Sequence, residues 1–197
     1  SHELKTPMTS MKVLADSLVG QQGVPEELYQ EFLSDITEEI DRENKIITDL
    51  LSLVKMDKKA ADMNISNMNI NELLENILKR LRPIADQRRI DLILDSFRPV
   101  TADVDEVKFT LAISNLVENG IKYNVDEGWV RVTLDADHKD FYVTVADSGL
   151  GIPEDSIERI FERFYRVDKG RSKRVAGTGL GLSIVKHVTE FYGGCVS

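Results

Sequence analysis

The sequence is poor in cysteine, has no excess of positive charge and contains no long hydrophobic run. Its 197 residues include one cysteine, Cys195, which excludes an internal disulfide and is compatible with a reducing compartment. The formal net charge of −9 and the lack of a basic stripe argue against a nucleic-acid partner. No apolar run approaches membrane-spanning length, and no signal peptide is recognisable. Because the first residue is Ser1 and not methionine, we expect a fragment whose sensor or membrane segments lie outside it.

Residues 1–57 show helical spacing of apolar residues on both sides of a break at residues 20–25. Before the break the apolar positions step by four and three: Leu4, Met8, Met11, Ala15 and Leu18. Pro25 and the two glutamates that follow it form a helix start signal. After it the spacing is close to heptad: Phe32, Ile36, Ile40, Ile47, Leu50 and Val54. Because two such helices cannot bury their apolar stripes alone, we expect a four-helix bundle in a homodimer.

The rest of the sequence predicts a mixed domain at residues 67–197, after a polar linker at residues 58–66. A helix is expected from Ile70 to about Ala85 with Asn71 as its N-cap, and another is expected after Asp105 as its cap. Strands are expected at residues 90–94, 130–134 and 141–145, the last two as a hairpin. Helices before and between such strands predict a two-layer α/β sandwich, so the whole chain is predicted to be multidomain, α and α+β.

A carboxylate followed by two glycines stands at the end of the last predicted strand, in the sequence DSGLG at residues 147–151. Asp147 could accept a hydrogen bond from a ligand amine, such as the exocyclic amine of adenine, and would reject a carbonyl there. Gly149 and Gly151 let the backbone approach a ligand closely. On its own, the pattern is more typical of an ordinary strand-end turn.

Two neighbouring segments change that interpretation. The first, NLVENGIKY at residues 115–123, places Asn115, Asn119 and Lys122 on one polar helix face. An amide oxygen suits Mg²⁺, and a lysine can pair with phosphate. The second, GTGLGL at residues 177–182, opens a helix whose N-terminal N–H groups favour anions. A solvated helix face or a flexible turn would explain each segment alone, but not all three in one order.

The combination resembles the Bergerat-type ATP-binding domain of sensor histidine kinases, gyrase, mismatch-repair ATPases and the ninety-kilodalton heat-shock chaperones. Residues 115–123 match its N-box, residues 147–151 its first glycine box and residues 177–182 its second glycine box. FERFYR at residues 161–166 resembles the F-box of the kinase branch. The resemblance covers nearly the whole chain.

The resemblance implies ATP and Mg²⁺ as cofactors, and a role for each motif residue. Asp147 would bind adenine, Asn119 would ligate Mg²⁺ and Lys122 would contact phosphate. Asn115 would support the metal and the phosphates, and Tyr123 would flank the nucleotide. The backbone of the second glycine box would wrap the phosphate tail: Gly177, Thr178, Gly179, Leu180, Gly181 and Leu182.

Residues 166–176 are polar, basic and short of apolar anchors. A mobile loop would explain this composition, and so would a lid whose cations neutralise phosphate charge when it closes; both can hold together. Lys169 and Arg171 are the candidate phosphate contacts in this segment. The chain departs from the family pattern at Gly120, where alanine is usual, and at Ala176, where glycine is frequent. Since the family continues beyond the last residues, we expect the C-terminal strand to be incomplete.

The opening sequence SHELKTP resembles the H-box of the histidine kinase phosphoacceptor domain. A histidine near a terminus is otherwise usually just solvated. The resemblance implies that His2 is a nucleophile, for which neutral imidazole is suited, while Glu3 can orient the ring or take its proton. Thr6 would lie one helical turn after His2, and the pattern resembles that of family members which also dephosphorylate their regulator. The resemblance implies that the hydroxyl of Thr6 holds the water that attacks the phosphorylated aspartate. The alternative is that Thr6 only helps shape a bend at Pro7.

The resemblance therefore implies a protein histidine kinase, the cytoplasmic core of a membrane-anchored bacterial-type sensor. It would phosphorylate His2 from Mg·ATP and pass the phosphoryl group to an aspartate in the receiver domain of a response regulator. One rival is an ATP-hydrolysing Bergerat protein; those carry a glutamate base where Asn115 stands, and an amide cannot act as that base. The other rival is a degenerate scaffold that binds nucleotide or regulator without turnover, against which the intact motifs argue.

Overall fold

The structure of the chain is a computed structural model that describes residues 25–58, 64–167 and 177–197, together with isolated positions between residues 9 and 19. In the first range, side chains are described as far as residue 51. These isolated positions are all helical. Helix α1, Glu26–Lys58, follows Pro25, whose carbonyl accepts the N–H of Tyr29 at 3.1 Å. Glu26 and Glu27 lie in its first turn, where negative charge complements the helix dipole. The predicted start of the second helix is therefore confirmed.

Helix α1 carries apolar side chains on two faces. One face is covered by the rest of the chain, so that Ile46 is 5% exposed and the polar Asp49 beside it is also buried. On the other face an apolar residue recurs every seven positions and stays exposed, at Leu33, Ile40 and Ile47. Seven residues return to the same side of a helix after two turns. The described part of the chain therefore leaves an apolar stripe on α1 uncovered.

In the described residues, five strands form two small sheets. Strand β1, Ile65–Asn69, pairs antiparallel with β3, Thr101–Asp105. Strand β2, Asp91–Ser96, lies parallel to β4, Trp129–Ala136, which pairs antiparallel with β5, Phe141–Asp147. The predicted hairpin of the last two strands is confirmed. The sequence did not predict β1, which begins within the predicted linker, because Ile65 is its one β-branched residue.

Helix α2, Ile70–Gln87, begins at the predicted residue but is capped differently. The prediction of Asn71 as the N-cap was wrong: Asn69 is the cap, and its Oδ1 accepts the N–H of Asn71 at 3.0 Å and that of Glu72 at 3.3 Å. The Asn71 side chain instead binds the turn that follows β2, accepting the N–H of Val100 at 2.8 Å and donating to the carbonyl of Arg98 at 3.1 Å. Asn69 can act as the cap because β1 holds its backbone extended.

Helix α3, Glu106–Lys122, is capped as predicted by Asp105, which accepts the N–H of Lys108 at 3.0 Å. The main core lies between α2, α3 and the three-stranded sheet, and includes Leu74, Ile77, Val117, Ile121, Val130, Val132 and Leu134. Helix α4, Gly181–Phe191, packs against α3 through a second cluster of Ala112, Leu180, Ile184, Val185 and Val188. Helices covering one sheet form the predicted two-layer α/β sandwich. None of the described helices is long and apolar enough to cross a membrane.

Candidate functional site

The first glycine box joins the end of β5 to the end of α3. Asp147 is the last residue of β5, and its exposed carboxylate accepts the N–H of Gly149 through Oδ1 at 2.8 Å. A Cβ on Gly149 would lie 2.5 Å from the carbonyl oxygen of Tyr123, so a side chain is excluded there. The N–H of Leu150 donates to the same carbonyl at 3.1 Å. This turn therefore holds Asp147 beside the C-terminus of the N-box helix, with Gly151 following at φ +70°.

The N-box residues face the second glycine box. The Nδ2 of Asn115 donates to the carbonyl of Leu111 at 2.9 Å, and its Oδ1 points at Gly181, where a Cβ would lie 2.7 Å away. The middle of α3 thus meets the start of α4. At the C-terminal end of α3, the Nζ of Lys122 would lie 2.6 Å from a Cβ on Gly177. Asn119 lies on the same face between these two contacts and is half-buried.

The second glycine box is fastened to the F-box. The N–H of Phe164 donates to the carbonyl of Gly179 at 2.8 Å, and Gly179 adopts φ +69°. A Cβ on Gly179 would lie 2.8 Å from the backbone carbon of Phe164. Leu180 is fully buried at the start of α4, and no side chain in the described part of the chain caps this helix. Its first N–H groups are therefore available to an anion.

Positive charge converges on Lys122. Burial, and to a smaller extent like-charge repulsion from four neighbouring cations, lowers the pKa of Lys122 to about 8. These cations are Arg166, Lys45, Arg88 and Arg42. The ammonium also lies 5.2 Å from the ring centre of Tyr123, which is 39% exposed. A half-buried cation with further positive charges around it favours an anionic ligand.

Gly120 explains how α3 approaches the sheet so closely. A Cβ at this position would lie 3.1 Å from a methyl group of Val130 and 3.4 Å from the Cβ of Asp147. An alanine would therefore require a shift of a few tenths of an ångström. The departure from the family pattern thus brings the N-box helix tight against the strand pair that carries Asp147.

The sequence did not predict the contacts that helix α1 makes with this site. The hydroxyl of Thr178 donates to the Oδ2 of Asp49 at 2.9 Å, and the Nζ of Lys45 lies 3.0 Å from the Oε2 of Glu118. Leu50 packs against the apolar cluster at the start of α4. The available signal was Asp49 itself, a carboxylate beside Leu50 in the predicted apolar stripe. Several predicted residues lie outside the described part of the chain: His2, Glu3, Thr6, Lys169 and Arg171.

Two family models match the chain. A model described as the His Kinase A (phospho-acceptor) domain matches residues 1–59. A model described as the histidine kinase-, DNA gyrase B-, and HSP90-like ATPase matches residues 104–197. The first match lies at the start of the chain, and the second contains the N-box and both glycine boxes.

Similar proteins include the sensor histidine kinase WalK of Bacillus subtilis, 32% identical over 98% of this chain and 32% of its own length. Sensor protein kinase WalK of Staphylococcus aureus is 34% identical over 98% of this chain and 47% of its own length. The chain thus spans from about a third to about half of the length of these relatives.

Among solved structures, histidine kinase AdeS of Acinetobacter baumannii has a TM-score of 0.74 at 21% identity, covering 97% of this chain and 87% of that one. Histidine kinase ThkA in complex with response regulator protein TrrA has a TM-score of 0.76 at 23% identity, covering 98% and 53%. At these identities the likeness shows the fold, and the family follows from the two models and the WalK relatives. The chain therefore belongs to the sensor histidine kinases, of which it represents the phosphoacceptor and ATPase-like regions.

Proposed function

We propose that this chain uses ATP to phosphorylate His2 and then transfers the phosphoryl group to an aspartate of a response regulator. The observation that supports this most is the meeting of three segments that lie far apart in the sequence. Asn115 faces Gly181, Lys122 faces Gly177, and the turn after Asp147 is bonded to Tyr123. Around α3 these contacts bring together a carboxylate, two amides and a cation, which are the groups that suit adenine, a metal ion and phosphate.

In this proposal the nucleotide lies along the polar face of α3. Asp147 accepts the adenine amine, and the backbone from Gly177 to Leu182 holds the phosphates at the start of α4. Lys122 and the cations around it neutralise phosphate charge, while Tyr123 flanks the nucleotide. Lys169 and Arg171 would add charge from the proposed lid.

The residues present fit a magnesium ion held mainly by phosphate and water. Mg²⁺ in phosphate-transfer sites takes one or two protein oxygens and completes its shell with phosphates and waters. Asn119 offers such an oxygen from a half-buried position, with Asn115 one turn away. Among the described residues no cluster of three or more His, Cys, Asp or Glu side chains could hold a metal by itself. When bound, the ion would neutralise and orient the phosphate oxygens.

The chemical step makes an N–P bond and breaks a P–O bond. A ring nitrogen of His2 attacks the γ-phosphorus of ATP, and ADP leaves with the electron pair of the bond that breaks. Glu3 would orient the imidazole and take its proton. Because phosphoryl transfer depends mostly on positioning and on charge neutralisation, the residues of the nucleotide site need no base among them. The second step moves the phosphoryl group from His2 to a carboxylate of the regulator. Thr6 would assist the later hydrolysis of that aspartyl phosphate by holding the attacking water.

We further propose that the chain acts as a homodimer. Leu33, Ile40 and Ile47 form an exposed stripe with seven-residue spacing, which suits a helix from a second copy in a four-helix bundle. A response regulator is the proposed second partner, and we propose that the reaction takes place in the cytoplasm, where ATP is available. The rival hydrolytic function needs a glutamate at the position of Asn115, whose side chain here is an amide bonded to Leu111.

The decisive experiment is an autophosphorylation assay with γ-labelled ATP. The wild type should incorporate label that is lost in acid and kept in base, as a phosphoramidate is, whereas His2→Gln should incorporate none and still bind ATP. His138→Gln is the matched control, because His138 is exposed on the far side of the β4–β5 hairpin from Asp147. Acid-stable label on the wild type would overturn the assignment of a histidine.

A further inference from the structure

Helix α1 contacts the segment that would bind phosphate, and it does so through a buried carboxylate. Asp49 is 9% exposed, and its Oδ2 accepts the hydroxyl hydrogen of Thr178 at 2.9 Å. Thr178 is the second residue of the glycine box. A second tie, between Lys45 and Glu118 at 3.0 Å, fixes the same helix to α3 just before Asn119. Leu50 completes the contact by packing against the apolar cluster at the start of α4.

The hydroxyl of Thr178 is fully committed in this arrangement. Its one hydrogen is donated to Asp49, and its oxygen accepts the N–H of Leu180 at 3.3 Å. A hydroxyl has a single donor, so Thr178 cannot donate to a phosphate oxygen while it donates to Asp49. The bond to Asp49 and a bond to phosphate therefore exclude each other.

The charge of Asp49 also opposes the binding of phosphate at the glycine box. Burial raises the pKa of Asp49 above its usual range, which shows that its negative charge is poorly solvated. The carboxylate of Glu118 adds to this effect, while the bond from Thr178 and the charge of Lys45 oppose it. A phosphate group brought to the glycine box would place further negative charge beside this carboxylate, and two like charges at short range repel.

We propose that Asp49 is a positioning residue that couples the nucleotide site to helix α1. The ionised carboxylate holds Thr178, and with it the second glycine box, against α1, which is the docked arrangement. The phosphates of the nucleotide displace Thr178 from Asp49. The proposal rests on the ATP site described under the proposed function. Its consequence is that ATP binding frees the glycine box from α1, so that the nucleotide domain can move towards His2. Without ATP the same contact keeps the domain docked.

The first test measures the affinity of the full chain for ATP, ADP and adenosine in Asp49→Asn. The asparagine keeps an oxygen that can accept from Thr178 and removes the charge. ATP should bind at least about fivefold more tightly, the scale of two unit charges about 4 Å apart in bulk water, ADP should gain less, and adenosine should be unchanged. Asp41→Asn is the matched control, the same substitution at an exposed position of the same helix, and should change none of the three affinities.

The comparison of ATP, ADP and adenosine separates an effect of the charge of Asp49 from an effect of its packing, because only the charge effect grows with the number of phosphates. If Asp49 only supported the fold, adenosine would change as much as ATP, and that result would overturn the proposal. Unchanged ATP affinity would overturn it as well. If the wild type bound no ATP, the proposed function itself would fail, which is a different outcome from wild-type binding that Asp49→Asn leaves unchanged.

The second test fixes the docked arrangement covalently. Lys45→Cys and Glu118→Cys, combined with Cys195→Ser, create two thiols at the ion pair that can be bridged by a short bismaleimide. The bridged protein should bind ATP several-fold more weakly than the same variant without the bridge, and adenosine should bind equally to both. Equal ATP affinity with and without the bridge would show that docking and phosphate binding are independent, against the proposal.

Discussion

The ammonium of Lys122 lies so close to Gly177 that a Cβ there would come within 2.6 Å of its Nζ. The nearest atom is the far end of a flexible side chain, so Gly177→Ala should displace the ammonium and leave the fold in place. We expect ATP affinity to fall about tenfold, the scale of one charge-assisted contact, with little change in the free energy of unfolding. Calorimetric titration with ATP and thermal unfolding measure the two quantities.

Gly149→Ala is the contrasting substitution. Its Cβ would lie 2.5 Å from a backbone oxygen, that of Tyr123, which cannot move without displacing the end of α3. We expect a loss of roughly 1–3 kcal/mol in the free energy of unfolding, as for other overpacked sites. Chemical denaturation would contradict the assignment if Gly149→Ala and Gly177→Ala had the same stability.

The second prediction concerns pH. Because the pKa of Lys122 is about 8, the protein without nucleotide loses this proton as the pH rises through 8. A bound phosphate favours the charged ammonium and raises that pKa, so ATP binding is linked to a proton on Lys122. Affinity should be full below about pH 8 and fall above it. Lys122→Arg stays charged throughout and should remove this dependence; a pH profile identical to that of the wild type would exclude Lys122 as the cause.

The third prediction concerns base selection by Asp147. Asp147→Asn keeps an oxygen that can accept from Gly149, so the turn and the melting temperature should be preserved. It also brings an NH₂ group towards the adenine amine, and ATP binding should weaken by about 2 kcal/mol, the scale of a hydrogen bond to a charged group. Parallel titrations with ATP and GTP should show reduced discrimination between the bases. Equal ATP affinity in the two proteins would leave Asp147 as a turn residue alone.

The fourth prediction concerns the metal. Asn119→Ala should bind ATP with the same affinity in the presence and absence of Mg²⁺, whereas the wild type should bind more tightly with Mg²⁺, because the amide oxygen is the proposed ligand. Asn44→Ala, at an exposed position of α1, is the matched control and should behave as the wild type. A persistent Mg²⁺ effect in Asn119→Ala would remove the proposed role.

The fifth prediction separates two activities. Removing phosphate from the regulator needs a positioned water, whereas autophosphorylation uses His2 as the nucleophile. Thr6→Ala should therefore keep most phosphorylation of His2 and lose most dephosphorylation of the regulator. Thr9→Ala, an exposed position three residues further along, serves as the control. A parallel fall in both rates of Thr6→Ala would favour the bend at Pro7 as the explanation.

The sequence predicted those features whose signals are local. Asp105 caps α3 and the β4–β5 hairpin forms as expected, because a capping side chain and an alternating pattern act within a few residues. The choice between Asn69 and Asn71 as the cap depended on the pairing of β1 with β3, about thirty residues away in the chain, since Asn69 pairs with Thr101. The motifs predicted which residues share the N-box face, but not their distances.

Other parts of the site depend on how whole elements approach each other. The position of Asp49 in the apolar stripe indicates an unusual carboxylate but does not predict its contact with Thr178, since the two lie 129 positions apart. The lowered pKa of Lys122 likewise depends on burial and on cations from other segments, including Lys45 of α1. Periodicity predicts that a helix has an apolar face, and does not predict which polar residue beside that face reaches a second domain.

The hydrogen bond from Phe164 to Gly179 has a consequence for how this family can vary. It closes a loop of chain between residues 164 and 179, so the two ends are held whatever the length between them. The entropy of closing a flexible loop grows only with the logarithm of its length, about 0.6 kcal/mol for each doubling. Insertions between these residues should therefore cost little stability and leave the positions of the glycine boxes unchanged. Relatives could therefore carry segments of different length and charge between the F-box and the second glycine box.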